Sequence, residues 1–155
     1  MFNWFKRKGR QNSVGSSKDQ VEADHERYLK KLRTAAPARL YDMVTTISDN
    51  PSLAEQYSNM SKRMDAALVL KYQPSPETSE VLQRAISTDP EYLVRYHATK
   101  SLLLIHGYPD RAVNQRIGEL APKLGYKQPA ASPEAIEAIQ QLIHARPMKP
   151  APDLR

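Results

Sequence analysis

Cysteine is absent from all 155 residues, which excludes a disulfide framework, a Cys-ligated zinc or iron–sulfur site and a thiol nucleophile, and agrees with a reducing compartment such as the cytoplasm. Long apolar runs are absent too. The longest strong one, Leu102-Leu103-Leu104-Ile105, falls far short of the ~18–20 residues that span a bilayer. No segment alternates apolar and polar residues over the length of a strand between turn signals, so β-structure is not expected. The chain also lacks a Gly-rich phosphate loop, a Gly-x-Ser-x-Gly elbow and a His-Glu-x-x-His pair. With these patterns missing, no catalytic role and no cofactor is expected.

Charge is present but unevenly placed. The formal net charge is +6, yet Lys6, Arg7, Lys8, Arg10 and Lys18 stand in a leader with no acid, and the remaining residues carry 18 basic against 17 acidic side chains. A near-neutral body has little long-range pull on nucleic-acid phosphates, whose binding needs several clustered cations. In the leader, Phe2, Trp4 and Phe5 directly precede Lys6, Arg7 and Lys8. Aromatic rings at the headgroup boundary and cations drawn by surface potential are the two weak signals that reversible membrane anchoring combines. These six residues are the candidate membrane contacts, and a flexible basic start leading into the Gly/Ser-containing stretch 9–17 is the alternative. The order of apolar and charged residues is the reverse of a secretory signal.

Twelve prolines accompany only five glycines, and several of the prolines sit where helices begin. Asn50-Pro51, Ser75-Pro76, Asp89-Pro90 and Ser132-Pro133 each place a capping side chain before a residue suited to the first helical position. Glutamates after Pro76, Pro90 and Pro133 put negative charge at the positive end of the helix dipole. The punctuation predicts helices at about 19–34, 38–48, 51–71, 76–87, 90–106, 110–124 and 133–146. The expected organisation is a basic flexible leader over 1–18, a helical domain over 19–146 and a disordered Pro-rich tail over 147–155, in which prolines stand at 147, 150 and 152.

The richest stretch is 89–107. At about 100° per residue, Val94, Ala98, Ser101, Leu102 and Ile105 share one helix face while Tyr92, Tyr96 and Leu103 fall nearly opposite. A helix wanted on two sides is a central one. The pattern Val94-Arg95-x-x-Ala98-x-x-x-Leu102-x-x-Ile105, preceded by Asp89-Pro90 and followed by Gly107, resembles the second helix of a HEAT-type repeat, and Arg63-x-x-Ala66-x-x-x-Leu70 repeats its spacing 32 residues earlier. The resemblance covers about 85 residues, departs at Gln73 where an isoleucine is expected, and is missing from 133–146. It implies an all-α fold, a short right-handed stack of antiparallel helix pairs (38–48 with 51–71, 76–87 with 90–106, 110–124 with 133–146) forming a HEAT-like α-α superhelix of about seven helices.

Such stacks mostly bind proteins and occasionally nucleic acid, so the expected function is a non-enzymatic protein-binding adaptor or scaffold, including one that neutralises or escorts its partner. Tyr92, Arg95, Tyr96, Arg63 and Lys100 are the candidate partner contacts. A nucleic-acid-binding module using Arg63, Arg95, Lys100 and the leader is the alternative. For the two arginines a structural role competes, in which each bonds an acid or a carbonyl of the adjacent unit, with Asp89 and Asp65 as available acids. HEAT-like DNA glycosylases are longer, with a strongly basic cleft and supporting aromatics; here the single Trp is Trp4. His97 and His106, nine positions apart, lie on opposite sides of one helix and do not converge on a metal.

Overall fold

The structure is a computed structural model that describes residues 14–47, 52–146 and 148. Among the described residues it is all-helical, with seven α-helices and no strand: α1 (Val14–Arg33), α2 (Pro37–Thr45), α3 (Leu53–Val69), α4 (Pro76–Thr88), α5 (Tyr92–Ile105), α6 (Asp110–Leu120) and α7 (Pro133–His144). Short 3₁₀ turns, Leu70–Tyr72 and Ala121–Leu124, extend α3 and α6.

The capping signals decide the helix starts. Ser75 and Ser132 accept hydrogen bonds from the amides of Thr78 and Ala135, each with proline at the first helical position. Asn50 and Pro51 lie outside the described residues, and α3 starts instead under a capping box, Ser52 with Glu55, each side chain bonding the other's backbone amide. Asp89 also departs from the expectation. Its carboxylate accepts the amide of Glu91 as a cap would and is also gripped by Arg63, while α5 starts at Tyr92 rather than at Pro90. At the other end of the chain α1 begins at Val14, five residues before the expected start at 19.

As its two-sided ladder requires, α5 is central, packing against α3, α4, α6 and α7. Val94, Ala98, Ser101, Leu102 and Ile105 are buried on one side; Leu103 is buried on the other, in a smaller cluster with Tyr108 and Val113. The spaced triads Arg63/Ala66/Leu70 and Arg95/Ala98/Leu102 are buried alike, the first in α3 and the 3₁₀ turn that extends it, the second in α5. α2 packs with α3 and α4 with α5, as paired. In the third expected pair, 110–124 with 133–146, α7 meets the last turn of the first member, Ala121–Leu124, and also packs on α5. No described helix is long and apolar enough to cross a membrane.

Candidate functional site

Two buried arginines organise the molecule around Asp89. Arg63 of α3 grips its carboxylate in a fork, Nε to Oδ2 at 2.7 Å and Nη2 to Oδ1 at 3.2 Å. Arg95 of α5 donates from Nη1 to the Asp89 main-chain oxygen at 2.7 Å. Its remaining bonds reach into the α6–α7 connection: Nε to Leu124 O at 2.8 Å, Nη2 to Gly125 O at 2.8 Å and to Gln128 O at 2.9 Å. Arg95 is 0% exposed, and its burial lowers the guanidinium pKa against the opposing pull of Asp89 and Glu91. A planar, always-charged fork with five donors is the side chain suited to holding several carbonyls at once. The structural alternative for both arginines is the one the geometry displays. Neither offers its guanidinium to a partner or to phosphate.

What Arg95 holds is a shaped loop. Gly125 takes φ +79°, and a Cβ there would lie 2.2 Å from Ala130 O, so only glycine fits. Lys127 also adopts a left-handed conformation, φ 61°. The Gln128 amide bonds Gly125 O and the Ser132 amide bonds Lys123 O, both at 2.9 Å, closing the loop before α7 begins. The carbonyls of Lys123, Leu124, Gly125 and Gln128 and the amides of Gln128 and Ser132 are thus paired inside the fold, which ties down the twelve-residue connection between α6 and α7.

The loop forms one wall of an open groove of about 580 Å³, with the start of α5 and Met60 of α3 completing it. Tyr92, Leu93, Tyr126, Met60, Pro90 and Pro129 give it aromatic and apolar surface, interrupted by Glu91, Lys127 and Gln128. Tyr126 is 66% exposed and Leu93 43% exposed, so apolar surface that no segment of the described chain covers is held on a rigid frame. Tyr126 meets Tyr92 edge-on at 5.3 Å, and Tyr92 lies 6.0 Å from Tyr96. Burial, then Tyr96, raises the Tyr92 phenol pKa, so it remains a neutral donor. Lys127 stands over the Tyr126 ring and Lys100 over Tyr96, at 5.6 and 5.8 Å.

Of the sequence-based candidates, Tyr92 thus lines the groove, Tyr96 and Lys100 are half-buried beside it, and Arg63 and Arg95 support it from inside. Phe2, Trp4, Phe5, Lys6, Arg7 and Lys8 lie outside the described residues. Leu93 and Tyr126 were not singled out by the sequence, although a Tyr-Lys-Gln-Pro run following Gly125 in the longest connection was a visible signal. The histidines do separate work. His25 pairs with Asp65 across α1 and α3 at 3.2 Å, and His106 bridges Ser79 Oγ and Arg146 O. Half-buried His97 has a pKa lowered by desolvation and then by Lys100, and its Nδ1 has no hydrogen-bond partner among the described residues. No group of three or more His, Asp or Glu side chains among the described residues could hold a metal ion.

A second, more apolar pocket of about 610 Å³ lies at the opposite corner, between the α1–α2 turn and the turn that precedes α4. Ala35, Pro37, Tyr41, Tyr72 and Pro74 line it, with Arg33 at the rim. Comparison with family models, with curated proteins and with solved structures finds no match.

Proposed function

We propose that this chain is a non-enzymatic adaptor built as a short HEAT-like helical stack, and that it binds another protein through the groove lined by Tyr92, Leu93 and Tyr126. One observation carries the reading: exposed aromatic and aliphatic surface is mounted on a loop whose carbonyls are fixed by a fully buried arginine. Preformed apolar surface with Tyr at its centre is what protein recognition uses, since little conformational entropy is lost on binding. The equal burial of the Arg63/Ala66/Leu70 and Arg95/Ala98/Leu102 sets supports the repeat reading.

Nucleic acid is the weaker alternative, because the two arginines it would use are spent inside the fold. On this reading the leader adds a peripheral hold on an anionic membrane surface from the cytoplasmic side. The test is capture from extract of the cells that make the protein, comparing the wild-type chain with a Leu93→Ser/Tyr126→Ala variant, alongside titration of both with RNA and duplex DNA. The reading expects discrete proteins lost with the variant and nucleic-acid binding no tighter than about 10⁻⁴ M at physiological salt. Identical captures, or micromolar nucleic-acid binding, would remove it.

A further inference from the structure

The second pocket has a candidate occupant within the chain itself. Its walls are preformed: Tyr41 Oη bonds Thr78 Oγ1 at 2.9 Å and Ser75 Oγ at 3.2 Å, and Gln73 Nε2 donates to the carbonyls of Arg33 and Ala35 at 3.1 and 3.0 Å. Arg33 stacks over the Tyr72 ring at 4.5 Å, with Lys71 also over it at 5.1 Å. Tyr72 is nonetheless 43% exposed. Aromatic rings spaced by prolines and small residues form the kind of surface that takes a polyproline II segment, which arrives already extended and loses little freedom on docking.

The chain supplies such a segment beside it. Arg146 O accepts a bond from His106 Nδ1, His106 Nε2 meets Ser79 Oγ at 3.1 Å, and the Ser79 amide bonds Ser75 O one turn back at the pocket. That path of two hydrogen bonds, one imidazole and one helical turn spans roughly 15 Å. Met148 still packs against the main core, so the chain stays on the body past Arg146. Residues 149–155, with Pro150 and Pro152, lie outside the described residues; in a polyproline II conformation seven residues extend about 22 Å. The reach is sufficient. The Tyr92 groove lies a full α5 length away, near the opposite end of that helix. Asp153, the only acid after residue 146, follows Pro152 directly, and Arg33 has no carboxylate partner among the described residues. We propose that residues 149–155 dock in cis into the Tyr41/Tyr72 pocket, with Pro150 and Pro152 on the tyrosines and Asp153 beside Arg33. This contact is independent of the partner groove.

Because the chain has no cysteine, a nitroxide on Leu154→Cys reports one position only. In dilute ¹⁵N-labelled full-length protein, the amides of Ala35, Tyr72 and Gln73 should lose most of their intensity while those of Leu93 and Lys127 stay sharp. Pro150→Ala/Pro152→Ala, which leaves the helical body untouched, and Tyr72→Ala should each restore the lost signals. Absent or uniform broadening, broadening centred on the Tyr92 groove, or persistence of the pattern in either variant would overturn the proposal. So would broadening that arises only when spin-labelled and ¹⁵N-labelled chains are mixed, which would make the occupant a second copy.

Discussion

Replacing Arg95 with methionine keeps a long unbranched stem and removes the donors. Four main-chain oxygens, those of Asp89, Leu124, Gly125 and Gln128, would then lose a buried partner. The Gly125 oxygen keeps the Gln128 amide; at about 1–1.5 kcal/mol for each of the other three acceptors, partly offset because a desolvated cation is also removed, the loss comes to about 2–4 kcal/mol. That is a large part of the ~5–15 kcal/mol that holds a domain of this size, and it corresponds to a fall in Tm of roughly 5–15 °C. Urea denaturation followed by circular dichroism gives the magnitude. Amide exchange at Gln128 and Ser132, whose N–H groups close the loop, gives the location: both should exchange faster than the α5 core in Arg95→Met. Arg95→Lys should recover only part of the stability, since one ammonium does not span carbonyls on both sides of the α5 start. A methionine variant that lost under about 1 kcal/mol, with loop exchange unchanged, would refute the claim that Arg95 fixes the groove wall.

Glycine positions offer opposite signs in one experiment. Gly125→Ala should cost at least ~2 kcal/mol through its left-handed φ and the approach to Ala130 O, whereas Gly118→Ala, in an α6 interior with no heavy atom within 4 Å of the new methyl, should gain ~0.5–1 kcal/mol; chemical denaturation of the two decides. Ala98→Glu, placing a charge at a fully buried position, should unfold the domain or lower its stability by more than ~4 kcal/mol, and a cooperative melt like that of wild type would contradict the ladder. His97 titrates below its ordinary value when folded, so the unfolded chain takes up the proton first; its contribution is steady above pH ~6.5 and stability falls as pH drops below that value. Melting curves between pH 7.5 and 5.5 should therefore show a smaller decline in His97→Leu than in wild type.

Helices were legible because their starts carry chemistry that does not depend on the fold. Ser75-Pro76 and Ser132-Pro133 cap as written, and the Ser52/Glu55 capping box is written in the same terms two residues after Asn50. At Asp89 local grammar was incomplete: the carboxylate accepts the Glu91 amide as a cap does, but it is also gripped by an arginine 26 residues away, which sequence spacing alone does not encode. The same limit governs the site. Tyr92 and Tyr96 were visible as a stripe on one helix, but the groove exists only because residues 126–129 return to the start of α5. The two arginines, tempting as surface contacts, are interior because Asp89 and the loop carbonyls lie within their reach. The pairing of 110–124 with 133–146 was expected from order along the chain; α7 does meet the turn Ala121–Leu124, but its contact with α5 is one that order along the chain does not encode.

Site-specific photo-crosslinking from position 93 reports what occupies the groove. A diazirine amino acid replacing Leu93 in the full chain, activated in the cells that make the protein, should give one or a few discrete adducts with other proteins. They should vanish when Tyr126→Ala is added and be missing when the probe replaces exposed Asn114 on α6. Adducts of the same pattern from positions 93 and 114, their persistence in Tyr126→Ala, or adducts to nucleic acid in place of protein would contradict a partner-binding groove at Tyr92, Leu93 and Tyr126.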